Sequence, residues 1–171
     1  METWDAITAR RNVREFSDRA IADADLDRVL EAGRIAPSSQ NNQPWDFVAV
    51  TDRDKLGELS KVWRGGGHIA NAAAAIAMVI PDEEEPRVRE RNRFDIGQAT
   101  MQMMITAADL GIGSGHSAVG DQDLARSVLG VPEGKLVAFV MDLGYPADRP
   151  LAPGTRLKRR AFDDVVHRNG W

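Results

Sequence analysis

Ala36-Pro37-Ser38-Ser39-Gln40-Asn41-Asn42-Gln43-Pro44-Trp45-Asp46-Phe47 is the stretch that organises the rest of the chain. A helical pattern precedes it and a short apolar run follows, so it connects a helix to a strand. Pro37 and Pro44 fix their own φ angles and push Ala36 and Gln43 out of the α region, which stiffens both ends. Between the prolines, serines and side-chain amides offer donors and acceptors without bringing any charge. A stiff neutral loop of this kind suits a flat heterocycle rimmed by nitrogens and carbonyls. A plain surface loop whose serine and asparagine side chains close their own turns has the same composition.

Upstream, residues 23–36 carry Leu26, Val29, Leu30, Gly33 and Ile35 at near-helical spacing, with Asp25, Asp27, Arg28 and Glu31 opposite. Residues 4–10 predict a shorter helix, with Thr3 as its N-cap and Asp5 near the positive end of its dipole. Arg10, Arg11 and Arg14 crowd the exit of that helix. On one helical turn Arg10 and Arg14 would share a face and repel each other unless an anion lay between them. Neutralisation by Glu15 and Asp18 at the surface is the other account.

Downstream, residues 47–51 predict a short strand and residues 52–62 a helix capped by Asp52 or Asp54. Arg64-Gly65-Gly66-Gly67-His68 lacks the Lys-Ser/Thr of a phosphate-binding P-loop and is expected to be a mobile connection, with His68 a surface or capping residue. Residues 72–80 form an apolar run, expected as a buried strand, and an acidic turn follows. Residues 86–110 give the longest helical pattern, charged in its first half and apolar nearly all round in its second. A helix without a polar face needs more cover than a domain of this size usually supplies, which points to a partner subunit. Met104→Glu is accordingly expected to disrupt a dimer. Residues 121–129 predict a short helix and residues 135–143 a strand.

Two segments carry a resemblance. Pro37 to Trp45 resembles the Pro-Ser-Ser-x-Asn-x-Gln-Pro-Trp signature of the nitroreductase family, whose members carry FMN at a homodimer interface. Arg10-Arg11-Asn12-Val13-Arg14-Glu15-Phe16 resembles the same family's Arg-Arg-Ser-x-Arg-x-Phe opening, with Asn12 where serine is usual. Gly111 to Gly120 is similar to the family's Gly-Leu-Gly-x-x-x-x-Gly loop, although Gly115, His116 and Ala118 depart from it. Gly144-Tyr145-Pro146 fits the family's Leu-Gly-Tyr-Pro, and the basic tail around Lys158, Arg159 and Arg160 resembles its Lys-Arg-Lys-Pro ending, with Ala161 in place of proline.

The resemblance implies a single α+β domain over residues 1–171, a central mainly antiparallel sheet flanked by helices, paired as a homodimer. It implies FMN held by Arg10, Arg11, Asn12, Arg14, Pro37, Ser38, Ser39, Asn41, Gln43, Ser117, Ala118 and Arg159. Arg10, Arg14 and Arg159 would together offset a phosphate of about −2 charge, guanidinium forks matching phosphate oxygens. Trp45 is expected in the core. The implied activity is NAD(P)H oxidation coupled by a ping-pong mechanism to reduction of a nitroaromatic, quinone or similar small electron-poor acceptor. The same fold could serve a deazaflavin or dehalogenating reaction, or bind flavin without turnover.

Composition sets the outer bounds. A chain of 171 residues that is 43% hydrophobic suffices for one domain with a real core. A net charge of −4 argues against general affinity for nucleic acid or anionic membrane, and the tail's basic cluster lacks aromatic interleaving. The absence of cysteine removes disulfides, thiolate metal sites and a cysteine nucleophile. With no signal-peptide pattern at Met1 and no membrane-length apolar run, the expectation is a cytoplasmic protein.

Overall fold

A computed structural model describes residues 1–154 and 159–171, so the tail residues Arg156 and Lys158 lie outside the described residues. Four strands, β1 (Asp46–Val50), β2 (Ala74–Pro81), β3 (Gly113–Ala118) and β4 (Lys135–Gly144), form one sheet in the order β1-β2-β4-β3. All three ladders are antiparallel. The helices are α1 (Thr3–Ala9), α2 (Asp23–Arg34), α3 (Arg53–Leu59), α4 (Pro86–Asp109) and α5 (Gln122–Leu129). No helix among the described residues is long and apolar enough to cross a membrane.

β2 explains the layering. Every residue from Ala74 to Ile80 is buried, because the strand is central and covered on both faces. Ala74, Ile76, Met78 and Ile80 pack with Leu26, Val29, Met103 and Ala107 of α2 and α4. The alternate residues Ala75, Ala77 and Val79 pack with Leu56, Leu59, Ile69 and Ala125 on the other side, under α3 and α5. Period-two alternation thus feeds two cores from one strand. At Gly33 a Cβ would overlap the Met103 side chain, so a larger residue there would require Met103 of α4 to shift.

Several expectations need correction. Thr3 is the first residue of α1 rather than its cap; the cap position is Glu2, which makes no side-chain capping bond. The segment around residues 111–120 is not a loop throughout: residues 113–118 pair with β4 as an edge strand, the ladder overriding a composition of glycine and serine with weak strand preference. The glycine run is packed at its centre, since Gly66 is buried and a Cβ there would sit 2.8 Å from the Ser60 carbonyl oxygen, while Gly65 and Gly67 are exposed. Met104 is 3% exposed and lies in the chain's own core, so it cannot report on a subunit contact. The exposed apolar line of α4 instead carries Phe94 and, two turns on, Met101, which are 68% and 45% exposed.

Candidate functional site

The Pro37–Gln43 loop leaves α2 through Ile35 and turns tightly at Ser39–Asn41. Gln40, Asn41 and Gln43 adopt φ of 52°, 57° and 48°, the left-handed region that non-glycine residues enter at a cost. Internal bonds hold this bend: the Gln43 N–H donates to Ser38 Oγ at 2.9 Å, and Gln43 Nε2 donates to the Asn41 carbonyl at 3.1 Å. Below, the Ser39 N–H donates to Asp95 Oδ2 at 3.1 Å. Trp45 packs into the core, as expected, and stacks on Phe47 with centroids 6.3 Å apart. The loop is therefore clamped at its base, while Pro37, Gln40, Asn41, Asn42 and Gln43 stay exposed and Ser38 and Ser39 are half-buried.

Asp95 escaped the sequence reading. It is 1% exposed, and Gln98 Nε2 approaches its other oxygen at 3.4 Å. The signal was present: Asn92, Asp95, Ile96, Ala99 and Met103 recur at three- and four-residue steps along one buried stripe, so a carboxylate there needs a specific donor. Asp95→Ala is expected to leave the Ser39 N–H unpaired and cost about 1–3 kcal/mol, whereas Asp95→Asn, which keeps an acceptor, should cost less. Urea unfolding of the two variants beside the parent checks this.

The arginine segment is fixed at the opposite side of the sheet's strand ends. Asn12 bridges to Ser114, and the Val13 N–H donates to the Ser114 carbonyl at 3.0 Å. Further on, the Ser17 N–H donates to the Tyr145 carbonyl and the Ala147 N–H to that of Glu15. Residues 12–17 thus run beside the start of β3 and the exit of β4. Arg11 is already engaged: its Nη2 donates to Asp148 Oδ1 at 2.6 Å and to the Arg149 carbonyl at 2.9 Å. That bond holds the Asp148 carboxyl below the usual carboxylate range. Arg10, half-buried, and Arg14, exposed, have no ion-pair partner among the described residues. Arg14 lines a cleft of about 300 Å³ with Glu15, Phe16, Asp18, Arg53 and Asn71.

The structure joins some predicted site residues and separates others. Asn12 and Val13 are brought against β3, where Ser117 is 4% exposed with its hydroxyl donating to the Ala118 carbonyl, and Ala118 is exposed. Arg159 is exposed at the start of the second described segment. Among the described residues no hydrogen bond or ion pair links the 36–43 loop to residues 10–14 or to β3 within one protomer.

His68 is not the surface residue expected of it. It sits in the 3-10 segment Gly67–Asn71 with its side chain 8% exposed, and its Nδ1 lies 2.8 Å from Oδ2 of Asp142, which is 0% exposed. Burial pushes the Asp142 carboxyl above the usual carboxylate range, with His68 and, more weakly, His116 opposing. The pair is 74 residues apart in sequence, so no local spacing could have revealed it.

Residues 7–85 and 58–145 match the sequence profile of the Nitroreductase family. The chain belongs to that family. A provisionally named NADH dehydrogenase/NAD(P)H nitroreductase of Archaeoglobus fulgidus is 34% identical over 169 residues, covering 96% of each chain. The FMN-dependent nitroreductase of Clostridium difficile R20291 superposes with a TM-score of 0.84 at 26% identity, covering 97% of this chain and 98% of its own. The NADPH:FMN oxidoreductase of Vibrio harveyi, solved in complex with NAD+, superposes with a TM-score of 0.81 at 25% identity, covering 97% and 76%. The nitroreductase fold is thus what the two helical layers and the antiparallel sheet build, as the amide loop and the arginine opening implied.

Proposed function

We propose that this nitroreductase-family chain is an FMN-dependent oxidoreductase. It would oxidise NAD(P)H and reduce nitroaromatic, quinone or similar electron-poor acceptors by a ping-pong mechanism, working as a homodimer. The observation that carries the reading is the clamped, uncharged loop Ser38–Gln43, whose amide side chains are exposed while its base is tied to buried Asp95. Arg10 and Arg14 suit the phosphate end of the cofactor because neither has an ion-pair partner among the described residues. Arg159 is assigned with them from its place in the tail motif.

FMN, when bound, supplies the hydride acceptance and donation. The chain's own residues bind and orient. The arginines hold the phosphate by charge-assisted hydrogen bonds, and the amides of Asn41 and Gln43 with the Ser38 and Ser39 hydroxyls can match a ring's nitrogens and carbonyls. Arg11, paired with Asp148, braces the segment from which Arg10 and Arg14 project and is not given a phosphate contact.

A second protomer would bring the loop and the arginines of different subunits together. Support comes from apolar side chains left open on one protomer: Trp4 at 72%, Ile35 at 57%, Phe94 at 68% and Phe162 at 63% exposed. Met101→Glu, placing a charge on the open line of α4, is expected to shift the protein to monomers without unfolding it. Light scattering read beside circular dichroism checks this, and an unchanged dimer would remove α4 from the interface.

The decisive experiment is the absorption spectrum of the purified protein before and after NADH and NADPH. A yellow protein that either nucleotide bleaches, and that an added nitroaromatic or quinone restores to yellow, supports the proposal. A colourless preparation that takes up no added FMN overturns it.

A further inference from the structure

His68 and Asp142 take no part in the function proposed above, and stability alone gives no reason for them. Asp142 lies in an apolar run between Met141 and Leu143, fully buried, and its Oδ1 has no hydrogen-bond partner among the described residues. A buried polar pair with an unsatisfied oxygen is commonly matched or surpassed in stability by apolar residues of similar volume. The surroundings give the pair another task. Asp142 faces Gly115 across the β3–β4 ladder. A Cβ at Gly115 would stand 2.9 Å from Asp142 Oδ2 and 2.7 Å from the Val13 carbonyl oxygen. Only a glycine's width therefore separates the carboxylate from the segment that carries Arg14. His68 shares its short 3-10 segment with Asn71, which lines the same cleft as Arg14.

We propose that His68 and Asp142 form a positioning pair that ties the two walls of the Arg14 cleft together, and so sets how firmly the arginine segment grips an anionic cofactor. The consequence for FMN rests on the function proposed above, but the tie itself does not. Hydrogen exchange on the flavin-free protein reads it directly. In His68→Ala and in Asp142→Ala, the amides of Val13, next to Arg14 in the chain, and of Ile69 and Ala72, on either side of Asn71, are expected to exchange together about tenfold faster, with α2 amides unchanged.

Fluorescence titration of the same apoproteins with FMN is expected to show about tenfold weaker binding in each alanine variant and no further loss in the double variant, the non-additivity of a coupled pair. Asp142→Asn, whose amide can either accept from or donate to His68 Nδ1, is expected to restore binding to within about threefold of the parent. Unchanged exchange at Val13, faster exchange throughout the sheet, or an Asp142→Asn variant as impaired as Asp142→Ala would each overturn the proposal. If the parent takes up no FMN, it is the proposed function that fails, and the exchange result still decides on the tie.

Discussion

Met104→Glu is expected to leave no folded protomer. The side chain is 3% exposed among Met103, Ala107, Leu26 and Ile76, all in one core. Removing a buried methionine's packing costs on the order of 2–5 kcal/mol. Forcing an unpaired carboxylate into the same space adds several more, roughly the whole net stability of an ordinary domain at about 5–15 kcal/mol. Circular dichroism and the soluble yield of the variant check this. A folded Met104→Glu protein would mean that α4 sits differently against the sheet. Met101→Glu is the matched control, since it carries the same charge three residues earlier on the open side of the helix.

Arg10→Ala is expected to weaken FMN binding roughly 30-fold or more, the range found when one member of a desolvated charge pair is truncated. Thermal unfolding should hardly change, because Arg10 makes no ion pair among the described residues and its backbone N–H, bonded to the Ala6 carbonyl, is untouched. Arg159→Ala is expected to act in the same direction. Titrating each apoprotein with FMN at low and high salt tests both, because a phosphate contact should lose strength as ionic strength rises, more at exposed Arg159 than at half-buried Arg10. Equal affinity in Arg10→Ala and the parent would remove Arg10 from the phosphate site.

The helices and three of the four strands could be read from the chain because hydrophobic periodicity and proline boundaries are local. Pro37 and Pro86 mark the end of one helix and the start of another, and the run before Pro81 is the doubly covered strand β2. What could not be read depended on residues distant in sequence. β3 looks like a loop because Gly113, Ser114 and Gly115 have little strand preference of their own, and only the ladder to β4 makes them a strand. Arg11 looked equivalent to Arg10 and Arg14 until Asp148, 137 residues away, was found beside it. The apolar half of α4 shows no polar face, so periodicity could not tell Met104, turned inward, from Met101, turned out. Of the candidate site, the loop and the arginine segment were legible as motifs; the loop's anchor Asp95 and the His68–Asp142 pair, which depend on contacts distant in sequence, were not.

The left-handed residues of the amide loop carry one more consequence. Gln40, Asn41 and Gln43 are bent against their own preference, and hydrogen bonds to Ser38 and Asp95 within the chain keep them so. The conformational cost of shaping that surface is met when the protomer folds, and a visiting molecule need not induce it. Substituting Gln40→Gly would relax the bend and let the segment wander, giving a chain that holds together as well or better and grips less selectively.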